Sequence, residues 1–199
     1  NMGEACTSAN RFYVHEAVHA AFVEKFAAKM KALKIGNGLE DGVAVGPLVN
    51  EKTRDKVAEL VADAVAKGAR VVTGGKAPEG KGYFYAPTVL ADVPDDARCL
   101  GEEIFGPVAP IQTFASEDDV VARANATEYG LVAYVYTRDL SRGLRVSERL
   151  DFGMVGLNRG LVSDPAAPFG GMKQSGLGRE GAHEGIMEFL ETQYISLTW

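Results

Sequence analysis

Val57-Ala58-Glu59-Leu60-Val61-Ala62-Asp63-Ala64-Val65-Ala66-Lys67-Gly68-Ala69-Arg70-Val71-Val72-Thr73 is the stretch from which the architecture can be read. Val57, Leu60, Val61, Ala64 and Val65 recur three and four positions apart, which puts them on one stripe of a helix. The helical pattern stops near Gly68. Ala69 to Thr73, with Val71, Val72 and Thr73 β-branched, reads as a buried strand after that helix. A helix followed at once by such a strand is the repeating unit of an α/β fold.

The same alternation extends in both directions. Upstream, Arg11 to Val14 is a short strand candidate. A helix from about His15 to Leu33 follows, with Val18, Phe22, Phe26, Met30 and Leu33 as its apolar face. Gly36, Gly38 and Gly42 break the chain into a loop running to Gly46-Pro47. Downstream, Gly74 to Gly82 reads as an exposed turn, and Tyr83 to Leu90 as strand material interrupted by Pro87. Val108 to Phe114 is a further strand. Ser116 is an N-cap for a helix through Ala124, with Glu117, Asp118 and Asp119 in its first turn. Leu131 to Tyr136 is a strand, Asp139 caps a helix with Leu140, Leu144 and Leu150 inward, and Met154 to Leu157 is a short buried strand. A glycine-rich loop spans Asn158 to Gly181, and loops of that length inside a domain often carry function. A short helix around Glu184 to Leu190 and a strand-like tail, Thr192 to Trp199, complete the chain.

Composition narrows the function classes. The chain has 199 residues, 46% of them hydrophobic, enough for a sizeable core. The net charge is −6, spread along the chain, which argues against a nucleic-acid partner and gives an anionic membrane surface nothing to attract. No apolar run approaches the roughly 20 residues that cross a bilayer. Two cysteines, Cys6 and Cys99, do not make a disulfide framework, so a reducing, cytoplasmic setting is expected.

Three segments carry chemistry. Cys6, in Asn1-Met2-Gly3-Glu4-Ala5-Cys6, offers a thiolate nucleophile for which a carbonyl carbon is a natural target. Gly101-Glu102-Glu103-Ile104-Phe105-Gly106-Pro107 holds two acids and an aromatic ring directly before a strand. It reads either as a turn with a solvated acid pair and a core Phe, or as a loop presenting a carboxylate and a flat ring to a ligand. The third segment is Pro168-Phe169-Gly170-Gly171-Met172-Lys173-Gln174-Ser175-Gly176, whose glycines permit close approach of backbone to a ligand. It has neither the dinucleotide-binding nor the Walker glycine spacing, so it is not read as a phosphate loop.

Taken in order, Asn-x-Gly-x-x-Cys with Arg11 five residues on, Glu-Glu-Ile-Phe-Gly-Pro-Val and Pro-Phe-Gly-Gly-x-Lys-x-Ser-Gly-x-Gly-Arg-Glu strongly resemble the aldehyde dehydrogenase superfamily, across essentially the whole chain. Gly160-Leu161-Val162-Ser163 and the run from Ala167 to Gly181 are similar to its succinate-semialdehyde subgroup. The resemblance implies an α/β fold: an open twisted sheet with flanking helices over residues 1–190, and an oligomerisation strand over 191–199. It implies NAD or NADP as cofactor, a small aldehyde as substrate and a homo-oligomeric parent. Cys6 matches the nucleophile, its backbone N–H an oxyanion donor, and Glu103 the acid on the nicotinamide ribose. Phe105 matches the ring beside that half of the cofactor. Ser163 matches a holder of the substrate's distal carboxylate, and Phe169 an aromatic of the substrate tunnel. Glu4 stands where the commonest pattern has Gln, and Ser8 where some relatives have a second, redox-active cysteine.

In the family the dinucleotide domain, the general-base glutamate and a second oxyanion donor lie upstream of the nucleophile. The chain is therefore expected to be a fragment without turnover of its own. Other readings stay open: an aldehyde dehydrogenase for another substrate such as glutarate semialdehyde, or a non-catalytic assembly module. His15-Glu16-Ala17-Val18-His19 is a literal His-Glu-x-x-His, the zinc-hydrolase signature. It opens a helix on an apolar stripe, however, and no convincing third ligand follows, with Asp41 the one possibility and His183 the remaining histidine. No metal is expected.

Overall fold

A computed structural model describes residues 1–199, which form two compact units, Asn1–Val120 and Val121–Trp199. The first unit opens with strand β1 (Phe12–His15) running directly into helix α1 (Glu16–Lys31). A short parallel pair, β2 (Lys34–Ile35) and β3 (Val43–Val45), leads to α2 (Glu51–Ala66) and β4 (Arg70–Thr73). Then come β5 (Thr88–Ala91), the single-turn α3 (Arg98–Gly101), β6 (Val108–Phe114) and the first turn of α4 (Glu117–Asn125). Four of these strands form one sheet in the order β1-β6-β5-β4. β1 and β5 both run parallel to β6, and β4 closes the edge antiparallel to β5.

Strand β5 shows why the sheet is buried on both sides. Its four residues are all buried, and successive side chains point to opposite faces. Val89 and Ala91 join Val14, Ile111, Val23 and Ala27 in a core under α1. Leu90 joins Leu48, Val57, Leu60, Val61 and Ala64 in a second core under α2. Helix, sheet and helix make three layers, and each fully buried Val or Leu contributes about 1.5–3 kcal/mol of transfer free energy. The two polar side chains within this interior are satisfied. Thr88 Oγ1 donates to the Ala86 carbonyl (2.7 Å) and accepts from Gly75 N–H (2.8 Å). Gln112 Nε2 donates to the Val93 carbonyl (3.0 Å) and to Asp95 Oδ1 (2.8 Å).

Several expectations of inward faces are corrected. On α1 the buried residues are Val23 and Ala27, with Phe26 and Met30 beside them. Val18, Phe22 and Leu33 are exposed. The small Ala27 lets the helix lie close to the sheet, so the contact line runs through it rather than through the bulkier Phe22. Val65 of α2 is exposed too. β4 is an edge strand with Val71 exposed, not a doubly buried one, and it shifts register between Val71 and Thr73. Tyr83 to Pro87 stays outside the ladder, leaving Thr88–Ala91 as the strand.

The second unit contains β7 (Tyr129–Gly130), β8 (Val132–Val135), α5 (Leu140–Arg149), β9 (Met154–Leu157), β10 (Met172–Lys173) and α6 (Ala182–Met187). β8 and β9 pair in parallel, β7 and β10 antiparallel. Asp139 caps α5 as expected, accepting from Arg142 N–H at 3.0 Å. The inward residue of α5 is Gly143, whose missing Cβ would sit 2.9 Å from a Leu157 methyl carbon. Leu140 and Leu144 are exposed, so their expected inward placement is also corrected. Residues 191–199 form neither helix nor strand and are exposed. A strand exists only with a ladder partner, and this segment finds none within the chain. No helix is long and apolar enough to cross a membrane.

Candidate active site

Parallel pairing explains how two segments nearly a hundred residues apart come to face one place. Adjacent parallel strands enter a sheet from the same end, about 4.8 Å apart. The Cys6 turn leads into β1, and the Gly101–Pro107 loop leads into β6, β1's direct neighbour. The two loops therefore emerge side by side. Their backbones touch: a Cβ on Gly3 would lie 2.0 Å from the Gly106 carbonyl oxygen, and Gly3 has φ +83°. Only glycine fits that position. A second tie is Asn10, whose Nδ2 donates to the carbonyls of Cys99 and Glu102, both at 3.1 Å. Its Oδ1 accepts from Ile104 N–H at 2.8 Å.

Within this frame Cys6 is an exposed free thiol, and Cys99 a buried one. Burial pushes the Cys99 thiol up to about 11, so it is inert near neutral pH. The two adjacent acids are also differentiated. Glu102 is paired with Arg98 (Nε–Oε1 2.8 Å), which holds its carboxyl below the ordinary value. Glu103 is exposed and unpaired, its carboxylate free to accept from a ligand. Phe105 is half-buried with φ +54°, a left-handed conformation costing an aromatic residue on the order of 1–3 kcal/mol. Buried Ile104 and Gly106 flank it and hold the strain in place, with a Cβ on Gly106 only 2.8 Å from a Val57 methyl carbon. Glu4 Oε1 accepts from Val49 N–H at 3.2 Å, so this carboxylate is tied to the loop before α2.

In the second unit, the glycine-rich loop is braced by its own polar residues. Arg179 Nη1 donates to the carbonyls of Gly171 (2.8 Å) and Gly178 (2.7 Å). Lys173 Nζ donates to the Asn125 carbonyl (2.9 Å) and lies 3.6 Å from Asp151. Ser175 Oγ accepts from Gly130 N–H at 3.0 Å. Phe169 is half-buried and exchanges backbone hydrogen bonds with Glu180 at 2.8 and 2.7 Å. It lines a cavity of about 630 Å³ with Leu131, Gly171, Leu177, Ile186 and Phe189. Ser163 is exposed. The neighbouring turn is capped by Asp164, whose Oδ1 accepts from Ala166 N–H at 2.9 Å, rather than by Ser163.

The structure thus brings Cys6, Glu103 and Phe105 into adjoining loops of one unit, while Ser163 and Phe169 belong to the other. Reading the sequence gave no role to Asn10, nor to Lys173, Ser175 and Arg179, although those three stand in the glycine-rich motif. Each is an ordinary polar residue until its backbone partners are known. Of the two histidines of the His-Glu-x-x-His run, His19 has a buried Nε2 without a hydrogen-bond partner, and His15 is engaged by its neighbours. His15 Nδ1 accepts from Ala17 N–H at 3.2 Å as the cap of α1, and its ring meets Phe114 edge-on at 5.3 Å. No group of three or more His, Cys, Asp and Glu side chains is arranged to hold a metal ion.

Comparison with known proteins gives a consistent picture. The model of the aldehyde dehydrogenase family matches residues 1–195. A succinate-semialdehyde dehydrogenase of Paenarthrobacter nicotinovorans is 59% identical over 197 residues, covering 99% of this chain and 44% of that protein. A glutarate-semialdehyde dehydrogenase of Pseudomonas putida is 52% identical over 198 residues, covering 100% of this chain and 41% of that protein. The crystal structure of succinate-semialdehyde dehydrogenase from Burkholderia pseudomallei superposes with a TM-score of 0.93 at 52% identity, over 94% of this chain and 39% of that one. The chain spans less than half the length of the relatives it matches.

Proposed function

Because this chain belongs to the aldehyde dehydrogenase family, we propose that the whole protein oxidises a small carboxylate-bearing aldehyde, succinate semialdehyde first, to the corresponding acid. The observation that carries this reading is the exposed Cys6 turn fastened beside a loop whose Glu103 carboxylate is free and whose Phe105 ring is half-buried. An unpaired carboxylate is a natural acceptor for ribose hydroxyls, and a ring next to it suits a flat nicotinamide, so these residues fit a nicotinamide dinucleotide. NAD or NADP, when bound, supplies the hydride acceptor.

The chain's own residues supply the nucleophile and one oxyanion donor for the covalent steps. Cys6 Sγ, as thiolate, bonds to the aldehyde carbon and forms a thiohemiacetal, while the Cys6 backbone N–H donates to the developing oxyanion. Loss of hydride from that carbon leaves a thioester on Cys6. Water then cleaves it, releasing the acid and the thiol. Glu103 would hold the ribose of a bound dinucleotide, and Phe105 would pack beside its nicotinamide. By the same family likeness, Phe169 is assigned to the wall of a substrate tunnel and Ser163 to hydrogen bonding of a distal carboxylate, as roles for the second unit taken by itself. Supply of a general base, a second oxyanion donor and the adenosine site falls to segments beyond these residues. The exposed 191–199 tail, with Tyr194, Ile195 and Leu197 open to solvent, acts as an oligomerisation strand that pairs across subunits.

One specific observation favours a close second reading. The glutarate-semialdehyde relative matches the full chain, and its named substrate is one methylene longer. One methylene is worth only about 10–200-fold in specificity. The test is kcat/KM of the whole protein for succinate semialdehyde, glutarate semialdehyde and an uncharged aldehyde of equal length. The expected result is a preference of at least about tenfold for succinate semialdehyde over the uncharged aldehyde. Activity should disappear in Cys6→Ser. Equal rates on charged and uncharged aldehydes, or a Cys6→Ser variant that still turns over, would sink the proposal.

A further inference from the structure

We propose that Asn10 is a positioning residue that locks the Cys6 turn to the Glu103–Phe105 loop, so that thiol and cofactor-side groups keep one geometry. The inference rests on the roles given above to Cys6 and Glu103. It starts from how completely the amide is used. An asparagine side chain offers two N–H donors and a carbonyl acceptor. Asn10 uses both kinds across 89 to 94 positions of sequence: Nδ2 to Cys99 and Glu102, Oδ1 from Ile104.

The partners are not arbitrary. The Cys99 and Glu102 carbonyls lie in and just after the single turn α3, where helix-end carbonyls otherwise lack N–H donors. The Ile104 N–H lies between Glu103 and Phe105. Phe105 occupies its left-handed conformation only if its surroundings over-determine it. The bond from Ile104 to Asn10 fixes the residue immediately before that strained position. On the other side, Asn10 is two residues before β1 and four after Cys6. One side chain therefore spans from the nucleophile's turn to the loop on which the cofactor-side residues stand. The Gly3–Gly106 contact keeps the two backbones close. Asn10 supplies direction, which a bare van der Waals contact does not.

The test uses Asn10→Ala, which removes all three bonds, and Asn10→Asp, which keeps an acceptor for Ile104 and loses both donors. In the protein, amide hydrogen exchange at Ile104 is expected to speed up at least about tenfold in Asn10→Ala, with exchange in the α2 core at Leu60 unchanged. In steady-state kinetics, kcat is expected to fall about 10- to 100-fold and KM for the dinucleotide to rise. KM for the aldehyde should stay within about threefold, and Asn10→Asp should lie between Asn10→Ala and the parent on each measure. Unchanged exchange at Ile104 overturns the proposal. So does a loss of kcat that merely tracks a fall in melting temperature, with dinucleotide KM untouched. If Asn10→Ala does not fold, Asn10→Asp decides by the same criteria. If the unaltered protein oxidises no aldehyde, the functional reading above fails, and exchange at Ile104 alone decides whether the lock exists.

Discussion

Replacing Gly3 by alanine tests the idea that the nucleophile turn and the Glu103 loop are held at contact distance. The added Cβ would stand 2.0 Å from the Gly106 carbonyl oxygen, where ordinary contact begins at 3.4 Å. The two loops must therefore separate by about 1.4 Å, since backbone cannot swing aside as a flexible side chain does. Misplacing reacting groups by about 1 Å can cost about 100-fold in rate. The variant also carries the left-handed cost of a non-glycine residue at φ +83°, about 1–2 kcal/mol. Gly42→Ala is the matched control: φ is +76° and nothing lies within 4 Å of the new Cβ, so it carries the backbone cost without the collision. Both variants are expected to lower Tm by about 2–8 °C. Only Gly3→Ala should lose about 100-fold in kcat. Measuring kcat and Tm for the pair decides the matter. If Gly3→Ala and Gly42→Ala have equal turnover, contact between the loops does not set the reaction geometry, and the reasoning fails.

Three further outcomes follow from particular side chains. Iodoacetamide at pH 8 should modify Cys6 and spare Cys99, which is 1% exposed and whose thiol at about 11 is ionised in about one molecule per thousand; peptide mass spectrometry showing equal labelling in the folded protein would contradict this. Glu103→Gln should raise KM for the dinucleotide about tenfold, because a carboxylate accepts more strongly than an amide, whereas Glu102→Gln should leave it within twofold and leave Tm nearly unchanged, as expected for a solvent-exposed ion pair; the reverse ranking would mean the two acids are wrongly assigned. Burial raises Cys99 to about 11 and Tyr85 to about 12, so the unfolded chain loses these protons first as pH rises. The stability contributed by the neutral groups is intact below the ordinary thiol value of about 8.5 and declines as pH climbs through 11 and 12, which a lower urea midpoint at pH 11 than at pH 8 would register.

How much of this was legible in the sequence depends on how local each feature is. The bounds of β6 and the Asp139 cap of α5 could be read directly, because a mostly apolar run with Val108, Ile111 and Thr113 and a capping side chain act on their own neighbours. Which face turns inward was less legible. Leu140 and Leu144 look like core residues by spacing, yet Gly143 meets Leu157, because the element packed against a helix selects its buried line. The tail could be read for strand composition but not for a partner, which the chain does not contain. At the site, Cys6 and the Glu103 loop each stood out by residue type. Their adjacency did not, since it follows from β1 lying next to β6, a pairing that no local spacing announces. Asn10 carried no signal at all: an amide in a loop becomes distinctive only when its three distant partners are seen.

The parallel seating of β1 against β6 also bears on how much of the intervening chain can vary. Everything between the two loops passes out along β1, through α1 and α2, back along β4 and out again along β5 before α3 leads it to the same rim. The length of the detour does not enter the spacing of the two lips, which is set by one ladder, one glycine contact and the Asn10 hydrogen bonds. The exposed bend at 76–82 can therefore be lengthened, shortened or made to host a foreign peptide while the reacting pair stays in register. Such tolerance makes the detour a natural place for lineages to diverge and for a probe to be inserted.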